Sequence, residues 1–246
     1  MITGKIVLYG NKTITGKNSF NGIKITHMLT LSTAATMTLD GGNVCLDFIN
    51  SGYHQLETDE AERLHTYADF LLLARRLDLI SASWHDDLLQ LATQHPQKAA
   101  AVLSKARKIR TALYNLFTTR CDADPDGRRT GNLRVFNAAL QDMWKQRKLT
   151  FEDGRYQSAW KHPKPHLEHP LLQLVLAAYS LLASRAQHDV KQCQGCLWLF
   201  LDQSKNHSRR WCDMQSCGSL VKSRRYYQRK KADGAAKQGR TGKAAK

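Results

Sequence analysis

The segment Cys193-Gln194-Gly195-Cys196-Leu197-Trp198-Leu199-Phe200-Leu201-Asp202 is followed, after a polar turn, by Arg209-Arg210-Trp211-Cys212-Asp213-Met214-Gln215-Ser216-Cys217-Gly218. Four cysteines thus fall in the pattern C-x2-C-x15-C-x4-C. Each close pair can span one edge of a tetrahedron, and the intervening loop can swing the second pair to the opposite edge, which suits Zn²⁺. Disulfides are the competing arrangement, but they are rare in a reducing cytosol, and the soft apolar stretch from His27 to Leu39 makes a poor secretory signal. One structural zinc on Cys193, Cys196, Cys212 and Cys217 is therefore expected. Four protein ligands leave no open position for a catalytic water. His207 lies in a polar loop and is expected to face solvent, not the metal.

Outward from the cysteines, Leu197 to Leu201 form a short apolar run suited to a strand packed over the site, and Trp211 abuts the second pair. After Gly218, Ser219 is the expected N-cap of a helix reaching Ala232. Lys222, Arg225 and Arg229 recur at i, i+3 and i+7 on that helix. Arg224, Lys230 and Lys231 widen the positive surface, Tyr226 and Tyr227 interleave with it, and Arg209 and Arg210 would extend it if the loop folds back. Such a surface is expected to meet phosphates.

Charge distribution supports this. The chain has 246 residues and a formal net charge of +16. Residues 37–189 carry 19 basic and 18 acidic side chains, whereas residues 190–246 carry 14 and 3. A basic C-terminal quarter on a neutral body points to a polyanion. Duplex DNA is the expected partner, with RNA or a protein as the alternative. A membrane is excluded as the partner, because no apolar stretch is long enough to span one and the basic segment has no large apolar face.

These residues resemble the CGNR zinc-finger family of bacterial stress-induced transcription regulators, in which an N-terminal helical domain called ABATE precedes the finger. The stretch Asp40-Gly41-Gly42-Asn43-Val44-Cys45-Leu46-Asp47-Phe48-Ile49-Asn50 is similar to the opening of that domain. Together the resemblance covers residues 37–232. It implies a mainly α fold, structural zinc, DNA binding, transcription regulation and a cytoplasmic, nucleoid-associated location. One departure stands out: Ser219 and Leu220 occupy the positions of the family's Asn and Arg after Cys-Gly.

The body reads as helical. Residues 59–79 place Ala61, Leu64, Ala68, Leu71 and Ala74 on one face. Ser83 is the expected cap of a second helix, and Pro96 opens a third whose seam is Val102, Ala106, Ile109, Leu113 and Leu116. A fourth is expected to turn Leu133, Phe136, Leu140 and Trp144 inward. Asp153-Gly154 between residues 149–152 and 155–160 predicts a hairpin with a type I′ turn. Residues 171–183, apolar nearly all round, read as the central buried helix.

The expected organisation is an N-terminal extension over 1–36, a helical ABATE-like domain over 37–186, a zinc-finger module over 190–232 and a disordered basic tail over 233–246. The body has no Gly-rich phosphate loop, Gly-x-Ser-x-Gly or His-Glu-x-x-His, so no catalytic residues are assigned and the chain is not expected to be an enzyme. Asp47 and Asn50 are candidates for a pocket that senses a small-molecule effector, against the alternative of a buried capping segment. His54, His65 and His85 lack ligand spacing.

Overall fold

The computed structural model describes residues 32–53, 61–119, 127–162 and 164–230, together with the backbone of residues 231–241. The order among these is α1 (Val44–Asn50), α2 (Tyr67–Arg76), α3 (Ala82–Gln94), α4 (Pro96–Thr118), α5 (Arg128–Lys145), the hairpin β1 (Arg147–Glu152) and β2 (Arg155–Trp160), and α6 (His169–Leu182). The pair β3 (Val190–Gln192) and β4 (Leu199–Leu201) then leads through a π turn, Met214–Gly218, into α7 (Ser219–Thr241). The fold is mainly α, as expected. His54, Cys121 and most of the expected N-terminal extension lie outside the described residues.

Local chemistry sets most boundaries. Asn43 caps α1 by accepting the Cys45 N–H at 3.0 Å. Helix α2 starts at Tyr67, later than the periodicity predicts, because Thr66 and Asp69 close a reciprocal capping box there. Ala61 and Leu64 are buried in the segment before it, and Ala68 is exposed. Ser81, not Ser83, caps α3 by accepting the Trp84 N–H at 3.2 Å. In α5 the buried stripe is Phe136, Ala139 and Met143. Leu133 and Trp144 sit roughly 60–80° round from it at about 100° per residue, which leaves them 40% and 47% exposed. Trp144 instead meets Tyr179 edge-on at 5.7 Å.

Packing of the body extends ahead of residue 37. Ala34 and Met37 are each only 1% exposed. Arg76 donates to both of their carbonyls at 2.7 Å, fastening this segment to α2.

Helix α6 sits centrally, packed against α1, α4 and α5, while α4 also meets α2, α3 and α5. Leu171, Leu172, Val175 and Ala178 of α6 are buried. The β1–β2 hairpin turns through Asp153 (φ 51°) and Gly154 (φ 75°), the left-handed pair of a type I′ turn. Its base is packed, where Trp160 lies 4.9 Å from the ring of buried His169.

One apolar cluster runs from Phe48 and Phe70 through Leu113 and Val175 to Trp198, Leu199 and Phe200. The strand expected to pack over the cysteines is therefore part of the helical body's core. Strand β4 lies against α1, and Asn50 holds it at two points: the amide nitrogen donates to the Leu199 carbonyl at 2.9 Å and the amide oxygen accepts the Leu199 N–H at 2.8 Å. The Trp198 indole donates to the Tyr53 carbonyl at 2.7 Å, and the Leu201 N–H donates to the Gly41 carbonyl at 2.9 Å. Gly41 is required by close approach, since a Cβ there would lie 2.9 Å from Asp47 N and Oδ1. Gly42 turns the chain at φ 70°.

These contacts yield two expected outcomes. Asn50→Leu leaves the Leu199 N–H and C=O unpaired in a buried site, so urea denaturation should show a loss of about 2–6 kcal/mol, at roughly 1–3 per stranded group. Burial, partly offset by the Gly41 N–H, pushes the Asp47 carboxyl up to about 6 from 3.8, with Asp40 adding to the rise and Arg76 opposing it. The folded state thus holds this proton more tightly than the unfolded chain, and the contribution to stability falls as pH rises from about 4 through 6. Asp47→Asn, which keeps the acceptor, should match the wild type near pH 4 and exceed its stability at pH 7 by roughly 2–3 kcal/mol in denaturant titrations.

Candidate metal centre and basic helix

The four predicted ligands are all buried, and their sulfur atoms all lie within 4.8 Å of one another. The Sγ atoms of Cys196 and Cys212 are 3.9 Å apart and those of Cys212 and Cys217 are 3.6 Å apart. A tetrahedral site with Zn–S of about 2.3 Å has S···S edges of roughly 3.8 Å. A disulfide would need about 2.05 Å, so these separations fit the metal and not bridges. The backbone supports the same charge state. Gly195 N–H points at Cys193 Sγ (3.3 Å) and Trp198 N–H at Cys196 Sγ (3.4 Å), and donors so placed stabilise thiolates. The donor set therefore fits one structural zinc, held by Cys193, Cys196, Cys212 and Cys217. Its chemistry is to tie the β3–β4 turn to the start of the C-terminal helix.

Polar braces hold the 15-residue loop between the pairs. Asp202, fully buried, accepts from Lys191 Nζ (2.6 Å), Ser204 N and Oγ (3.0 and 2.6 Å) and the Arg209 N–H (2.9 Å). Burial raises its carboxyl, but these donors outweigh burial and hold it well below the usual carboxylate range. His207 faces away from the sulfurs, pairing with Asp189 at 2.9 Å.

The predicted basic residues separate into two groups. Arg209 is a brace: it donates to the carbonyls of Trp211 and Cys212 and lies 5.0 Å over the Phe200 ring. Arg210 donates to Gln194 Oε1 at 2.7 Å and stacks 5.5 Å from Trp211. It also lines an open cleft of about 340 Å³ with Lys191, Gln194 and Arg209. Lys222, Arg224, Arg225, Arg229 and Lys230 are exposed along α7, with Lys222 Nζ 6.0 Å from the Trp211 ring. The helix does not start at a Ser219 cap. Asp213 caps the preceding π turn by accepting the Ser216 N–H at 2.6 Å, and that turn runs straight into α7. The helix also passes the expected end at Ala232 and continues to Thr241, into the stretch expected to be disordered.

Asp47 and Asn50 are committed elsewhere. Asp47 accepts the Gly41 N–H at 2.8 Å, and both amide atoms of Asn50 are engaged by Leu199. Neither lines the cavity of about 550 Å³ beside Trp84, Trp160 and His169 or the cleft at Arg210. The expected effector pocket is replaced at these residues by the joint between helical body and finger. Tyr53 and Arg63, which complete that joint with Trp198, were not singled out by sequence. Arg63 caps the Trp198 ring at 5.7 Å and donates to the Tyr53 carbonyl at 2.7 Å, a role that no local pattern announces.

Comparison with known families agrees with this geometry. Residues 42–185 match the ABATE family model, described as "Putative stress-induced transcription regulator". Residues 190–230 match the CGNR zinc finger. The chain belongs to the ABATE family. No curated protein matched the chain. Among ABATE proteins this chain is thus a regulator-like zinc-binding member, and the matched families are described as a regulator and a zinc finger. No described helix is long and apolar enough to cross a membrane.

Cys196→Ser should reduce bound zinc from one equivalent to near zero by elemental analysis. Structural zinc contributes on the order of 10 kcal/mol to small folds. Because Trp198 and Phe200 belong to the shared core, the thermal melt of the whole ABATE body should shift down as well.

Proposed function

We propose that this chain is a DNA-binding transcription regulator in which the zinc-held α7 lies against duplex phosphates and the helical body is the regulatory half. The observation that carries this reading is α7 itself. Between Ser219 and Lys230 it exposes Lys222, Arg224, Arg225, Arg229 and Lys230 and contains no acidic residue. A helix of 23 residues is roughly 34 Å long at 1.5 Å per residue, close to one turn of duplex. Lys222, Arg225 and Arg229 share one stripe and suit a phosphate row, while Arg224 and Lys230 reach either side.

Tyr226 and Tyr227, 54% and 66% exposed, favour a second reading, since exposed aromatic rings among cations also stack on unpaired bases of RNA. Arg210, which lines the cleft, would add a contact there, while Arg209 serves as a brace. On this reading the protein works in the cytoplasm at the nucleoid, zinc is structural, and no reaction is catalysed.

Reversing the charges of Lys222, Arg225 and Arg229 together should flatten the log–log salt dependence of duplex binding by roughly three units, at ~0.9 per phosphate contact. Fragment selection from a random duplex library beside matched RNA distinguishes the readings. A converged duplex motif supports the regulator, and enrichment confined to RNA overturns it.

A further inference from the structure

We propose that the β1–β2 hairpin is a self-association surface, with β1 pairing antiparallel to β1 of a second copy about a two-fold axis at Thr150.

The hairpin is a two-stranded sheet with no third strand among the described residues. Beyond its base it carries Leu149, Phe151 and Tyr156 at 73%, 62% and 75% exposure. Arg147↔Trp160 through Glu152↔Arg155 is the register, and it puts these three apolar side chains on one face. An isolated hairpin is marginal in water, and an open edge beside exposed apolar side chains is a template for another strand.

Hydrogen-bond phase identifies the usable edge. Lys161 N–H donates to the Gln146 carbonyl at 2.8 Å, so Gln146, Lys148, Thr150 and Glu152 turn their backbone groups toward β2 by antiparallel alternation. Arg147, Leu149 and Phe151 therefore turn theirs outward. On the opposite edge, the outward Ser158 carbonyl is already taken by the Arg147 guanidinium at 2.9 Å. Among the described residues the β1 edge is the open one.

A two-fold axis relating antiparallel strands stands perpendicular to the sheet, so facing residues lie on the same face and have the same parity. Centred on Thr150, the pairing sets Lys148 opposite Glu152 of the other copy, and Glu152 opposite Lys148. It also sets Leu149 opposite Phe151, whose outward backbone groups exchange hydrogen bonds. Sliding the centre to Leu149 puts Lys148 against Thr150 and Arg147 against Phe151. Sliding it to Phe151 leaves Lys148 facing the turn glycine. Charge and apolar complementarity coincide only at Thr150, which argues for a second copy as the occupant. This inference does not depend on the DNA reading, and the test contains no nucleic acid.

Sedimentation equilibrium of the zinc-loaded full chain should show reversible dimerisation in the micromolar range, where so small an interface belongs. Glu152→Lys opposes like charges at both symmetric pairs and should weaken the dimer about tenfold or more, and adding Lys148→Glu should restore it. Leu149→Pro removes an outward N–H without touching the β1–β2 ladder and should also weaken it. Thr150→Cys should form an intermolecular 150–150 disulfide on mild oxidation, identified by peptide mass, because facing residues at a non-hydrogen-bonded position are about 4.5 Å apart at Cα. A wild type that stays monomeric, a dimer that Glu152→Lys leaves intact, or a Thr150→Cys chain without the 150–150 link would overturn the proposal.

Discussion

The side-chain amide of Asn50, completely buried, satisfies both backbone groups of Leu199 across 149 residues of chain. In a fully buried site, an amide that matched only one of those groups would strand the other, so the pair tolerates little displacement. Helix α1 and strand β4 are thereby held in one register, and around that register close the Trp198 indole on Tyr53, the Arg63 guanidinium over Trp198, and the Gly41 carbonyl on Leu201. The metal ligands flank this strand, so their geometry and the packing of the helical body are not separable.

This joint changes how the two family segments relate. A finger on a linker could change its orientation freely, whereas here Trp198 and Phe200 are wholly inside the same apolar cluster as Phe48 and Val175. Removing a buried aromatic of that size costs about 3–5 kcal/mol, so moving the finger as a unit would cost at least as much. The arrangement favours a rigid platform from which α7 projects, with the zinc and Asp213 fixing where that helix starts. The regulatory role proposed for the helical body then acts through the whole platform.

The glycine-rich opening has a related lesson. Gly41-Gly42 is too short a signal for a phosphate loop, and in the fold it serves close backbone approach. Gly41 sits against Asp47, and its carbonyl receives the finger's Leu201. The acidic and amide side chains that suggested a ligand pocket are polar because the joint needs donors and acceptors in a buried place. Residue type alone does not distinguish a polar group awaiting a ligand from one already satisfied by distant backbone.

What the sequence determined by itself was whatever depends on near neighbours. The cysteine spacing specified the zinc site, Asp153-Gly154 specified the hairpin, Pro96 opened α4, and the apolar run at 171–183 marked the central helix. The basic stripe of α7 was equally plain, because i, i+3, i+7 geometry is set by the helix itself. Tertiary structure alone decided the rest. It buried Asn50, Trp198 and Arg63 in a common joint, turned Arg209 from a surface cation into a brace, and rotated Leu133 and Trp144 off the buried stripe of α5. It also started α2 at a Thr66 cap, moved the cap of α3 from Ser83 to Ser81 and carried ordered packing forward to Ala34. Each of these outcomes depends on which of several equally suitable residues meets a partner, and for the joint those partners lie more than a hundred residues away. Local periodicity contains no information about such meetings.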